Sequence, residues 1–370
     1  MNKSAILGFF KRYDFTFFGI ATAIFIIGAF NLYSATHASS SLHMAGLYKN
    51  HALKYFFAII VGFLVSFIKP KNYMINSYPI YVVINIFLIL VLILGDKGMG
   101  AQRWLVLGPI RFQPSEIAKV SSILALSRWF TLHSADKELG LKELIMPFLI
   151  AIVPVLLIVL EPDLGTGLLI LLIFLLMSFY RRLKWKTIGI LLVLAVLGGS
   201  VMYKFGLKEY QRKRIVTFLN PGSDARGSGY NAIQSKIAIG SGKFGGKGFK
   251  NSTQASLNYL PENHTDFVFS IFNEEHGFFG SIILITLYLI LLFRLLFLAQ
   301  SLTSFYDSLV VVGITSLFFW HIFINMGMVM GLMPIVGLPL PLMSYGGSSL
   351  ITFGICLGIV TSISNSRNLF

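Results

Sequence analysis

The chain of 370 residues has a single cysteine, Cys356. A lone thiol excludes a disulfide framework and any metal site built on a cysteine cluster. Acidic residues are scarce too: 15 Asp and Glu stand against 30 Lys and Arg, a formal net charge of +15. Charge of either sign is thin, at 12%, while hydrophobic residues make up 55% and mean hydropathy is +0.77. No soluble domain of this length carries so much apolar surface, so the composition defines a polytopic membrane protein. The basic excess does not indicate nucleic acid, because the cations are spread among loops rather than gathered on a soluble domain. Anionic head groups, or an anionic lipid-linked substrate, suit it better.

What the sequence has in abundance is long apolar runs. About ten can cross a bilayer, centred near Phe25, Ile60, Phe87, Leu124, Val153, Phe174, Leu194, Leu284, Phe318 and Ile355. Lys3, Lys11 and Arg12 precede the first run, which reads as an uncleaved span with its N-terminus inside. Alternation then puts Lys69 and Lys71, Lys137 and Lys142, Arg181 to Lys186, Arg294 and Arg367 on the inner side, as the positive-inside rule requires. The expected fold is an all-α polytopic membrane protein with about ten transmembrane helices. Both termini are cytoplasmic, residues 1–370 form one membrane domain, and a long outer loop, about 206–265, joins spans seven and eight.

That loop keeps Lys208, Arg212, Lys213, Arg214, Arg226, Lys236, Lys243, Lys247 and Lys250 on the outer face. An anionic ligand and a solvated loop beside anionic lipid explain these cations equally well. Its GSGKFG run at 240–245 fits the dinucleotide fingerprint letter by letter but lacks the strand–helix–strand unit. The glycines read instead as a tight bend whose backbone a ligand can approach. In YLPENHTDFVFSIFNEEHG, 259–277, Asp266 sits where loop gives way to apolar run, with Glu274 and Glu275 about two turns deeper. Such groups suggest function unless they are paired; the plainer reading of Thr265 or Asp266 is a helix cap. Pro114 and Ser115 mark another helix start, with Glu116 and Lys119 spaced to pair on one face. EPDLGT sets Glu161 and Asp163 around Pro162, where turn and cap chemistry is the plain reading. PIVGLPLPLMSYGGSSL cannot form a regular span, and irregular backbone at that depth is tolerated only when buried in protein or lining a cavity. All these features fall on the outer half.

Together HTDFVF, QSKIAIGSGK, YQRKR, RFQPSEIAK, EPDLGT and GLPLPLMSYGGS resemble the SEDS proteins (shape, elongation, division and sporulation) over nearly the whole chain. The wording around GAQRW and RFQPSEIAK is closest to the elongation branch. The resemblance implies a peptidoglycan glycosyltransferase at the outer face of the bacterial plasma membrane. Its substrate would be lipid II, an undecaprenyl-pyrophosphate-linked disaccharide peptide. Its partners would be a class B penicillin-binding protein transpeptidase and other elongation-complex membrane proteins. It also implies that Asp266 is essential, that Glu116 and Lys119 form a functional pair, and that Arg111, Asp163, Tyr210, Gln211 and Arg212 hold signature positions.

The chemistry then expected uses Asp266 as general base, with His264 beside it in the same motif. Arg111, Lys119, Arg212 and the loop lysines Lys243 and Lys247 would face the departing pyrophosphate. No dedicated metal-ligand cluster is visible, and a divalent cation is left open as a helper. Lys243, where a glycine pair is usual, and His276, where Leu is common, are the departures from the pattern. The rivals are a flippase for the same lipid and a scaffold without chemistry.

Overall fold

The computed structural model describes residues 13–38, 46–98, 101–108, 110–133, 138–224, 227–260 and 264–367. All ten predicted centres fall in helices. These are α1 (Thr16–Ala38), α2 (Leu47–Val65), α3 (Pro70–Leu94), α4 (Pro114–His133), α5 (Leu141–Leu160), α6 (Leu164–Tyr180) and α7 (Trp185–Val201). After the long loop come α11 (Val268–Ser301), α12 (Phe305–Val329) and α13 (Gly347–Arg367). By length and composition 7 described helices can cross a membrane: α1, α3, α5, α7 with its π-turn extension, α11, α12 and α13. Helix α6 is a shorter apolar helix, and α2 and α4 are diluted by polar residues.

The interior is built around α12 and α13, the candidate spans with the largest buried share, whereas the apolar window of α7 is exposed along its length. Small residues set the closest helix contact. A Cβ added to Gly354 would lie 2.3 Å from the Ala58 carbonyl oxygen, and one on Gly358 2.2 Å from that of Gly62. The two backbones therefore meet along a small-xxx-small seam, where dispersion and not the hydrophobic effect holds helices in lipid.

Two features add to the expected all-α fold. Before α4, β1 (Asp96–Gly98), β2 (Ala101–Leu107) and β3 (Ile110–Phe112) form a small antiparallel sheet in that order. Leu105 faces Phe112 and Leu107 faces Ile110 across a turn in which Gly108 takes φ 63°. The β-forming run WLVL favours that pairing, a signal masked by the apolar runs around it. The long outer loop is largely helical as well, with α8 (Glu209–Leu219), α9 (Ser228–Gly242) and the single turn α10 (Thr253–Ser256).

The glycine-rich run binds the protein itself rather than leaving backbone open to a ligand. Helix α11 is broken at Gly277, whose φ 64° and ψ −159° interrupt the hydrogen-bond ladder. Beyond the break, the amides of Phe278 and Phe279 donate to the carbonyls of Lys243 (2.9 Å) and Phe244 (3.2 Å). Before it, the carbonyls of Glu274 and Glu275 accept from the amides of Lys247 (2.9 Å) and Gly248 (3.0 Å). One segment thus satisfies backbone groups on both sides that the break would orphan. A Cβ at Gly246 would fall 2.1 Å from the Glu275 carbonyl oxygen, so only glycine permits the approach.

Lys243 carries φ 47° and ψ −140° in that run, a conformation costly for any side chain. Lys243→Gly is therefore expected to stabilise the protein by about 1 kcal/mol, relief of strain outweighing glycine's extra entropy in the unfolded chain. Thermal unfolding in detergent checks this, and a lower midpoint would refute it.

Candidate active site

The site grows from residues 336–341, the non-helical segment between α12 and α13. Three elements meet it. Asn325 of α12, fully buried, donates from Nδ2 to the carbonyl of Leu338 (2.7 Å) and to that of Asp266 (3.0 Å). The Asp266 turn is thereby fixed to the segment, and its carboxylate lies alongside: a Cβ on Gly337 would sit 3.2 Å from Asp266 Oδ2. One turn before Asn325, buried His321 links through Nδ1 to the Pro339 carbonyl at 3.1 Å. From α6, a Cβ on Gly165, two residues after Asp163, would touch Val336 Cγ1 at 2.7 Å.

Glu116 and Lys119 pair on α4 as their spacing predicts, Nζ to Oε1 at 2.9 Å, both buried. Lys119 Nζ also lies 3.1 Å from His321 Nε2. The pair is therefore joined through His321 to the segment that flanks Asp266.

Asp266 itself is half-buried in a turn, and the capping place before α11 is taken by Phe267, which offers no side-chain acceptor. The first part of α11, Val268 to His276, is held from all sides. Asn31 Nδ2 of α1 donates to the Val268 carbonyl (3.0 Å), and the Ser235 and Ser270 hydroxyls pair at 2.8 Å. The two glutamates complete the attachment. Glu274, fully buried, accepts from Lys247 Nζ (2.5 Å), Ser252 Oγ (2.5 Å), Thr253 Oγ1 (2.7 Å) and the Thr253 amide (3.2 Å). Glu275 accepts from Ser34 Oγ of α1 at 2.5 Å. Both hold the 247–256 stretch, Glu275 through Ser34, whose Oγ also accepts the Lys250 amide at 3.0 Å, so both glutamates are paired groups of structure.

The other predicted residues spread outward. Asp163 caps α6, accepting from the Thr166 amide (3.3 Å) and hydroxyl (3.0 Å), with Arg103 Nε 4.0 Å away. Arg103 also donates to the Pro162 carbonyl, tying β2 to this corner. Gln211 takes the Lys208 amide at 2.8 Å as a cap of α8, and Arg212 donates to the Lys204 carbonyl at 2.5 Å. Tyr210 lies on α8, but its side chain is outside the described ones. Arg111 on β3 and Lys243 are exposed, while Lys247 sits on Glu274. The His264 carbonyl accepts the Tyr345 amide at 2.9 Å, and Tyr345 OH accepts from Lys54 Nζ at 2.7 Å.

His321, Asn325 and Lys54 escaped the sequence reading. The signal was there: isolated polar residues in apolar runs, two of them one turn apart on a single face of α12. Among the described residues no three His, Cys, Asp or Glu gather as metal ligands.

Glu161, at the corner between α5 and α6, is fully buried, and among the described residues neither carboxylate oxygen has a hydrogen-bond partner. Burial, reinforced by Asp163, pushes its carboxyl up from the ordinary 4.5 to about 8, against the pull of Arg103. The folded protein thus holds a proton that the unfolded chain releases. The stability this contributes is complete below pH 4.5, declines as pH rises and is gone above about 8. Glu161→Gln is expected to flatten the fall in melting temperature over that window, and parallel pH curves for the two proteins would refute the assignment.

A bundle with broken backbone and a buried ion pair joined to a half-buried aspartate defines a polytopic membrane protein built around one polar site. The comparisons with known proteins agree. Residues 14–369 match the cell cycle protein family of FtsW, RodA and SpoVE, and the chain belongs to it. It is 38% identical over 349 residues to the peptidoglycan glycosyltransferase MrdB of Escherichia coli K12, covering 94% of each chain. It is 37% identical over 314 residues to the probable peptidoglycan glycosyltransferase FtsW of Buchnera aphidicola from Schizaphis graminum, covering 82% of this chain and 87% of the relative. Among solved structures, Thermus thermophilus RodA superposes with TM-score 0.71 at 30% identity, covering 96% of this chain and 97% of that one. A chain of a peptidoglycan synthase complex that coordinates polymerization and crosslinking superposes with TM-score 0.83 at 32% identity, covering 96% and 98%.

Proposed function

We propose that this protein polymerises lipid II into glycan strands at the outer face of the bacterial plasma membrane during cell elongation. It is a peptidoglycan glycosyltransferase. The 4-hydroxyl of one substrate's GlcNAc attacks the anomeric carbon of a donor MurNAc, the new glycosidic bond forms, and undecaprenyl pyrophosphate departs with the bonding pair. A sugar hydroxyl is a poor nucleophile, so a carboxylate must take its proton as the bond forms. Asp266 has that role, and the observation that carries it is its carboxylate set against irregular backbone at Gly337 and not in a helix cap. Lys119, reached through the same segment, faces the charge that develops on the leaving group.

Among the described residues the Glu116–Lys119 pair and Asp266 meet at one segment and do not line a path through the bundle, which favours chemistry over flipping. The similarity to a chain of a complex that coordinates polymerization and crosslinking supports a class B penicillin-binding protein as partner. Purified protein, alone and with that partner, incubated with labelled lipid II should give a ladder of glycan strands on a gel. No ladder in either case, with lipid movement in liposomes intact, would make it a flippase.

A further inference from the structure

Lys119 is a fully buried cation tied through His321 to the segment beside Asp266, and a flexible ammonium stabilises developing charge only if it is held in place. Glu116 supplies one restraint, at 2.9 Å and on the same helix. The second comes from another helix: His321 Nε2 at 3.1 Å, on an imidazole that is fully buried and whose Nδ1 lies 3.1 Å from the Pro339 carbonyl oxygen.

The chemistry of the two partners fixes the ring. An ammonium has only donors and a carbonyl oxygen only accepts, so one neutral tautomer satisfies both: Nδ1–H donating to Pro339, and Nε2 accepting from Lys119. The other tautomer, and the imidazolium, would set N–H against N–H. Glu116 and Lys119 leave α4 near its start, Pro339 follows Gly337 in the segment beside Asp266, and His321 bonds to Lys119 on one side and to Pro339 on the other.

The geometry points to His321 as a positioning residue of this glycosyltransferase: its Nε2 lone pair, aimed by the Nδ1 bond to Pro339, fixes Lys119 in register with the Asp266 segment. This rests on the polymerase reading given above. His321 does not touch substrate. It acts through Lys119, so its loss lowers the rate of the chemical step more than it weakens substrate binding.

Two amides separate this from simple packing. Gln at 321 can place its Oε1 near the position of Nε2 and keep an acceptor for Lys119. Asn can place its Nδ2 near the position of Nδ1, keeping the donor to Pro339 and losing the acceptor. His321→Gln is expected to retain kcat within about 3-fold, and His321→Asn to lose about 10-fold or more in kcat with KM little changed. Melting temperature in detergent is measured for both, so that activity is compared between folded proteins.

A second readout does not depend on activity. In protein labelled with 15N at histidine, His321 should show Nδ1 protonated and Nε2 bare, and Lys119→Met should shift the Nε2 resonance. Equal activities for folded Gln and Asn variants, or a protonated Nε2, would overturn the proposal while leaving the function intact. Absence of polymerisation by the wild type would instead remove the function on which it rests.

Discussion

Asp266→Asn is expected to lower strand formation by about 10²–10⁴-fold, while the purified protein should melt as the wild type does. The side-chain change is nearly isosteric, and one backbone attachment of the turn stays: Asn325 holds the Asp266 carbonyl, which the substitution leaves in place. What the variant would lose is the group proposed to accept the hydroxyl proton. Gly337→Ala should act in the same direction and more weakly. It leaves the carboxylate intact, but its new Cβ would lie 3.2 Å from Oδ2 and would force φ 80° on a residue with a side chain. Equal ladders from wild type and Asp266→Asn would remove the aspartate from catalysis and turn attention to Glu116. The assay is the gel-resolved polymerisation of labelled lipid II.

Replacing Glu274 has the second large effect, on structure first and on rate as a consequence. Its buried carboxylate gathers a lysine, three hydroxyls and backbone amides of residues 253 and 254. Removing one acceptor strands several donors at once, and each buried donor left unmade costs about 1–3 kcal/mol. Glu274→Ala should lower stability by about 3–5 kcal/mol and open the 247–256 stretch to hydrogen exchange and proteolysis. Lys247→Met is the control. It removes the cation but leaves Glu274 its hydroxyl and amide donors, so its loss should cost clearly less than that of Glu274. Comparable losses for the two variants would mean that the ion pair, and not the net of hydroxyls and amides, holds the segment.

How far the sequence revealed this arrangement depends on the range of the interaction. Glu116 and Lys119 were legible because an i,i+3 spacing carries its own partner. The cap at Asp163 was legible for the same reason, since its partner Thr166 is in the same turn. Spans were legible because bilayer thickness imposes a length on apolar runs. The glutamates were not, because a carboxylate in an apolar run looks alike whether it faces substrate or a serine of another helix. Ser34, which occupies Glu275, is 241 residues away. His321 was hidden in the same way, its partner Lys119 being 202 residues distant. The break at Gly277 could not be read locally, since the amides that tolerate it come from residues 247 and 248.

That break has a mechanical consequence. A membrane helix tilts and shifts to match the thickness of the bilayer around it, and a continuous ladder carries such movement along its whole length as a rigid rod. Here the rod ends at Gly277, and the piece bearing the aspartate is suspended from α1, α12 and the outer segment instead. Bilayer strain on the part of α11 beyond Gly277 is absorbed at a pivot before it reaches the Asp266 carboxylate. The attachments that remain run to α1, α12 and the 247–256 stretch, so a force applied to any of these has a lever on Asp266 that bypasses the rest of α11.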